Sequence, residues 1–391
     1  MGHNLYEASD QWAKRPADER YWTIDEMLST ARRYHASAEE ARVNLAELRL
    51  AGNEDNRLAL VDNDGNQAAL TNWSFRQLAR RVQAPSGYLE GLPAPIAAAA
   101  LTHGLKKLGD DGTNCNVLVH NNGSYVCRSF MSDSYSRIWN DDVIEKLMAL
   151  KYQGWRVPPA RPAMENQPGA RPATEADILN QKDFWGQIKV GQMIAPAGLY
   201  CSDHDMFAFM VNDEVRIEDG TDGGLARGFF ISNSEVGAAA LKVTRFLYRY
   251  CCSNHVVWDV SDVEELKIIH VGHNASRYSW RVETALKQYA NESQAGDVAR
   301  IQRAKSLVLG ADKGEVIEAV FRNARIGLTK TETERAYEAA ERQSDLFKGT
   351  GTPRSAWGLA QGITAMSQAS LFADERVRLD RAAGRILSLA T

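Results

Sequence analysis

Three polar side chains stand beside a glycine in Asn233-Ser234-Glu235-Val236-Gly237, at the expected end of a strand. In one reading Glu235 coordinates a cation or acts as a base, and Ser234 and Asn233 orient a substrate. In the other, Asn233 and Ser234 bond the local backbone in a turn, and Gly237 supplies a positive φ. The residue types fit both readings, and the turn is preferred.

A second cluster, Cys201-Ser-Asp-His-Asp205, has metal-ligand chemistry. On a strand Asp203 and Asp205 share a side while His204 faces away. Asp203 and Asp205, with Glu235 or His273, are the candidate ligands for magnesium, manganese or zinc. Neither paired-cysteine spacing nor a His-Glu-x-x-His run supports a metal, so no cofactor is expected, with Mg or Mn as the alternative. Cys251-Cys252 beside His255 has the composition of a nucleophile, but its aromatic and apolar surroundings favour buried structural thiols. No Gly-Lys-Ser/Thr phosphate loop is present, which disfavours nucleotide hydrolysis.

Cations interleaved with aromatics carry the remaining chemistry. Arg76, Arg80 and Arg81 lie near Trp73 and Phe75; Arg128, Tyr135, Arg137 and Trp139 alternate; Arg245, Tyr248 and Arg249 do so again. Bases of a single strand stack on rings while guanidiniums neutralise phosphate, so Arg76, Arg128, Tyr135, Arg137, Trp139, Arg245, Tyr248 and Arg249 are the expected nucleic-acid contacts. The competing reading is a solvated face paired with the chain's slight excess of acid. The balance favours a non-enzymatic binding protein over an enzyme.

The elements that must position these groups follow from local signals. Thr23-Ile-Asp-Glu26 is a capping box that starts a helix at Ile24. Val43–Leu50 reads as a strand, and Asp62-Asn-Asp-Gly65 turns Leu58–Val61 back into Gln67–Leu70. Ser74 is the expected cap of a helix to Val82, and Pro95 opens another to Leu108. Asn121-Asn-Gly-Ser124 joins Cys115–His120 to Tyr125–Phe130, and Asn140 is the expected cap of the helix from Asp141. Five prolines between Pro158 and Pro172 mark a linker or mobile loop. Short strands follow to Val271, and helices from Ser276 to the end.

The predicted class is α+β, a strand-rich mixed body with inserted helices and an all-helical C-terminal region. The expected divisions are an extension over 1–40, an α+β region over 41–157, the proline segment over 158–173, a strand-rich region over 174–275 and helices over 276–391. With 391 residues, 44% hydrophobic and 25% charged, the composition is that of an ordinary globular chain. A net charge of −4 provides no global attraction to nucleic acid or acidic membrane, so any such binding needs a local basic patch. Met1–Asp10 lacks the pattern of a secretory signal, no apolar run spans a bilayer, and five irregularly spaced cysteines predict a reducing cytoplasm.

Three segments, Ser132–Asn140, Asn233–Gly237 and Phe246–Trp258, together resemble a phage- and plasmid-related family catalogued as domain of unknown function 932. Gln77-Leu78, Pro85 and Tyr88-Leu89 resemble its upstream stretch, and the resemblance spans Thr71 to Val271. His255 stands where that family commonly has glycine, and Cys251-Cys252 replaces a single cysteine ahead of Asn254. The resemblance implies a mobile-element origin and, more remotely, likeness to phage recombination and single-strand annealing proteins. The expected function is therefore single-stranded DNA binding in replication, recombination or counter-defence, by a chain that can form homo-oligomers. A metal-assisted hydrolase or nuclease using Asp203, Asp205 and Glu235, or a structural partner-binding protein, is the alternative.

Overall fold

The computed structural model describes residues 19–52, 57–108, 114–121, 123–158, 160–163, 165, 169–180, 188–196, 198–218, 220, 224–249, 255–256, 266–346, 351–369 and 373–390. Strand β1 (Arg20–Tyr21) leads into helix α1 (Ile24–Ala36). The capping box that starts α1 is complete: Thr23 accepts from the Glu26 amide, and Glu26 accepts from the Thr23 amide. Next come β2 (Ala38–Asn44), β3 (Arg49–Gly52), β4 (Leu58–Val61) and β5 (Gln67–Leu70). The strand expected over Val43–Leu50 is interrupted by a one-turn helix, Leu45–Glu47, because the Asn44 side chain accepts from the Ala46 amide and turns the chain.

Helices α2 (Asn72–Arg81), α3 (Ser86–Glu90) and α4 (Ala94–Lys106) precede the hairpin β6 (Asn114–Asn121) and β7 (Tyr125–Ser132). Thr71, not Ser74, caps α2; Ser74 is buried and donates to the Cys127 carbonyl. Helix α5 (Asn140–Leu150) begins one residue earlier than expected, with Trp139 at the cap position. Asn140 is inside the helix, and its side chain is used elsewhere.

After β8 (Trp155–Arg156), β9 (Arg161–Pro162) and β10 (Arg171–Pro172) flank β11 (Met193–Ala195) in a three-stranded sheet. Two ends of the expected proline linker are thus paired backbone. Both prolines lie on short outer strands, where a missing N–H is tolerated. Helix α6 (Glu175–Asn180) leads to β12 (Leu199–Cys201), β13 (Met206–Ile217), β14 (Leu225–Asn233), β15 (Leu241–Arg249), β16 (His255–Val256) and β17 (Leu266–Ile268). Helices α7 (His273–Asn291), α8 (Gln294–Ser306), α9 (Lys313–Arg322), α10 (Lys330–Leu346), α11 (Ala356–Ala369) and α12 (Ala373–Leu387) complete the described chain.

Two larger sheets organise the molecule, which is α+β as its sequence predicts. The antiparallel large sheet runs β1-β12-β13-β14-β15-β16, with β17 also on β15 and β8 also on β13. The small sheet runs β2-β6-β7-β5-β4-β3, with β5 and β7 parallel. One face of the small sheet buries Phe75, Leu78, Leu101 and Leu105 of α2 and α4 against Val117, Cys127 and Phe130.

The large sheet takes α1, α5 and α7 on a face bearing Met210, Phe229 and Ile231. Val282, Leu286 and Tyr289 of α7 recur at helical spacing and enter that same core. A further core joins Ile217, Leu225 and Leu247 of the sheet to Ile301, Val316, Trp357 and Ile363 of the later helices. Within this helical part Gly362 sits so close to α10 that an added Cβ would lie 2.0 Å from the Ala336 carbonyl oxygen. The stripe read from Val316, Ile317, Val320 and Phe321 is only half realised, since Val316 and Val320 are buried while Phe321 is 48% exposed.

Candidate functional site

The chain turns out of β14 through Asn233-Ser-Glu-Val-Gly237 where the two sheets meet. Gly237 has φ of +75°, and an added Cβ would lie 2.3 Å from the Met131 methyl, so the turn needs glycine for both conformation and space. Ser234 Oγ accepts from the Ala238 amide at 3.1 Å and donates to the His204 carbonyl at 2.7 Å. The turn reading of the motif therefore describes Ser234 and Gly237. It does not describe Glu235.

Glu235 is 1% exposed, as is Arg128 from β7. Arg128 Nη1 donates to Glu235 Oε2 at 3.1 Å, and the Asn140 amide at the start of α5 donates to Oε1 at 2.9 Å. An anion at a helix N-terminus is favoured by the aligned peptide dipoles. Arg128 also donates to the Asp203 carbonyl and to His120 Nε2, the latter at 2.7 Å. The guanidinium has no lone pair to offer, so Nε2 must be the acceptor and His120 is neutral, protonated on Nδ1. Burial, and then the charges of Arg128 and Arg137, push His120 down to about 3.

A second branch runs through Asn233. Its amide donates to the Ile138 carbonyl at 2.9 Å and to Asn140 Oδ1 at 2.8 Å, leaving its oxygen to accept from His270 Nε2 at 3.0 Å. His270 Nδ1 then accepts from the Tyr135 hydroxyl. Burial, followed by the charge of Arg137, lowers His270 to about 4. Arg137 donates to the Glu235 carbonyl and to Glu40, with its guanidinium over the rings of Tyr135 and Trp139. Trp73 and Gln77 of α2 both donate to the Val236 carbonyl, at 2.8 and 3.1 Å.

The arginine–aromatic positions predicted to form one DNA groove are placed differently. Arg128 and Arg137 are internal members of this joint, their side chains 1% and 4% exposed. Tyr135 and Trp139 pack within it or stack on it. Arg245 pairs with Glu292 at 2.8 Å and holds the end of α7 against the large sheet, beside Arg227, which donates to the last carbonyls of that helix. Arg76 is exposed and pairs with Glu90 at 3.1 Å. Arg76, Arg128, Arg137 and Arg245 each have a carboxylate partner, and the four stand in three separate surroundings. The side chains of Tyr248 and Arg249, and all of Asn254, lie outside the described residues.

Asp203, Asp205 and Glu235 do not form a ligand set: among the described residues no group of three His, Cys, Asp or Glu is placed to hold a metal ion. Glu235 spends both oxygens on Arg128 and Asn140, Asp203 enters through its carbonyl, and Asp205 pairs with His204 at 3.3 Å. His120 and Asn140 were missed by the sequence reading: His120 meets Arg128 across the β6–β7 hairpin at a position residue type does not mark, and Asn140 meets Asn233 and Glu235 across 93 and 95 residues. Compared with protein-family models, curated proteins and solved structures, this chain has no match.

The two neutral histidines fix a pH dependence. An unfolded histidine titrates near 6.5, whereas His120 and His270 stay neutral down to about 3 and about 4. Below pH 6.5 the unfolded chain therefore binds protons that the fold refuses, and stability falls as pH drops toward those values. Each group contributes a slope approaching ~1.4 kcal/mol per pH unit. Urea unfolding at pH 7, 6 and 5 is expected to show this loss, reduced to about half in H120Q, where an amide oxygen replaces Nε2 as acceptor. An unchanged slope in H120Q would mean that His120 is already charged in the fold.

Proposed function

We propose that this chain is a binding protein that engages single-stranded DNA through the exposed end of the small-sheet lobe, rather than through a groove of the predicted arginines. The observation that carries the reading is the set of cations at the C-terminal turns of α2 and α4. Val82, just after α2, packs against Gly104 in the last turn of α4, so the helix ends that carry Arg80, Arg81, Lys106 and Lys107 are neighbours. Arg80, Lys106 and Lys107 are exposed, Arg81 is half-buried, and none has an ion-pair partner among the described residues. Cations at helix C-termini also complement the negative end of the dipole, which accounts for their tolerance there without using up their charge.

Tyr88 of α3, 67% exposed, offers a ring for base stacking beside this lobe end. Arg80 and Arg81 group with Arg76 by their spacing, and the resemblance to a mobile-element family agrees with a DNA ligand. Electrostatic contact of this kind weakens with salt as counterions are reclaimed.

Fluorescence anisotropy with a labelled oligothymidine tests it. Binding in the micromolar range is expected, with a log–log salt slope near −2 to −3 for about four neutralised phosphates on a single strand. The R80E/K106E/K107E variant is expected to lose at least tenfold in affinity, while R245M, outside the patch, leaves it unchanged. No binding at low salt, a flat salt response, or equal binding by the triple variant would overturn the reading.

A further inference from the structure

His35 lies in the last turn of α1 with its side chain partly exposed. Its Nδ1 stands 2.9 and 3.1 Å from the two oxygens of Asp141, in the first turn of α5. Its ring stacks on Trp139 with centroids 3.9 Å apart and planes 15° from parallel. The Asp141 side chain is 12% exposed, whereas that of His35 is 38% exposed. A carboxylate accepts only, so the hydrogen between them belongs to Nδ1. In the neutral ring the lone pair is then on Nε2, which has no hydrogen-bond partner among the described residues.

Three features combine here: a carboxylate that selects one tautomer, an aromatic platform that fixes the ring plane, and a ring nitrogen without a hydrogen-bond partner among the described residues, on a side chain 38% exposed. Held this way, an imidazole is a base or nucleophile rather than only a link between helices. The titratable and charged groups around it are Asp141 and Asp142 of α5 and His120 of β6, with Arg137 over the Trp139 ring.

We propose that His35 Nε2 is a nucleophilic and general-base centre toward small acyl esters, with Asp141 as its positioning residue. The Nε2 lone pair adds to the ester carbonyl carbon, and the carbon–oxygen bond breaks with its electron pair leaving on the alkoxide or phenolate. Water then cleaves the acyl-imidazole to the free acid, returning the lone pair to Nε2 and a proton to solvent. Neither metal nor redox partner is needed.

The full-length chain with p-nitrophenyl acetate tests this, read as the second-order release of p-nitrophenolate between pH 5 and 9. The wild-type rate is expected to exceed that of H35Q at least tenfold, and D141N to lose about tenfold or more, as for other carboxylate partners of functional imidazoles. Nitrogen NMR of the imidazole supplies a readout independent of turnover: Nδ1 protonated and Nε2 bare at pH 8, reverting to the usual tautomer mixture in D141N. Both variants are checked for an unchanged unfolding midpoint at pH 8. A wild-type rate equal to that of H35Q, or an excess rate indifferent to D141N, would overturn the proposal and leave His35 as a tie between α1 and α5. A wild-type imidazole with Nε2 protonated at pH 8 would do the same.

Discussion

Ending the chain before Ser276 is expected to unfold the strand-rich body, not to release it as a stable domain. Val282, Leu286 and Tyr289 of α7 lie at 5%, 0% and 5% exposure in the core that also holds Trp155, Phe229 and Ile231. At about 1.5–3 kcal/mol for each large apolar side chain withdrawn from water, these three alone match much of a domain's usual stability of about 5–15 kcal/mol. The loss does not stop there, because Ile217, Leu225 and Leu247 of the sheet would also lose the helical core that covers them. Arg227, 2% exposed, would keep its burial on one side while losing the Tyr289 and Ala290 carbonyls and Asp297. The 1–275 fragment is expected to give no cooperative urea transition and to bind a hydrophobic dye. A folded, monomeric fragment with a sharp transition would show that the helices are an appendage.

The second large effect is at the buried ion pair. Replacing Glu235 by Gln leaves the Arg128 guanidinium charged at 1% exposure, with only a carbonyl, a neutral imidazole and an amide around it. An uncompensated buried charge typically costs about 3–5 kcal/mol, whereas removal of both charges with matched volume is often close to neutral. E235Q is therefore expected to be destabilised by ~3–5 kcal/mol in urea unfolding, and R128M/E235Q by clearly less than E235Q alone. R76M supplies the contrast, since its exposed pair with Glu90 is worth at most about 1 kcal/mol. If the double variant is as unstable as the sum of its parts, the two side chains are not coupled and Glu235 acts through the Asn140 amide instead.

Much of the secondary structure was written locally. The Thr23–Glu26 capping box, the Asp62–Gly65 turn, the hairpin around Gly123 and the Thr174–Asp177 cap all rest on contacts within four residues, so residue type and spacing suffice to identify them. Errors arose where two residues competed for one local role. Thr71 displaced Ser74 as the cap of α2 because Ser74 is drawn inward to the Cys127 carbonyl. Asn140 moved inside α5 because Asn233 and Glu235 claim its side chain and its amide.

The site was legible only as a list of residue types. Arginines beside aromatics have the same local pattern whether they face phosphate or a buried carboxylate. Arg128 meets Glu235 across 107 residues, Arg137 meets Glu40 across 97 and Arg245 meets Glu292 across 47. Spacing along a strand or helix carries no record of such pairings. The cations at the ends of α2 and α4 were likewise separated in sequence, and only helix packing at Gly104 brought them together.

By itself, then, the sequence determined the α+β class, the order of most elements and the turn roles of Ser234 and Gly237, because capping, turn formation and hydrophobic periodicity act over a few residues. Tertiary structure decided which charges remain available to a partner. Availability depends on burial and on partners from remote segments, and these exist only once the two sheets and the C-terminal helices have packed.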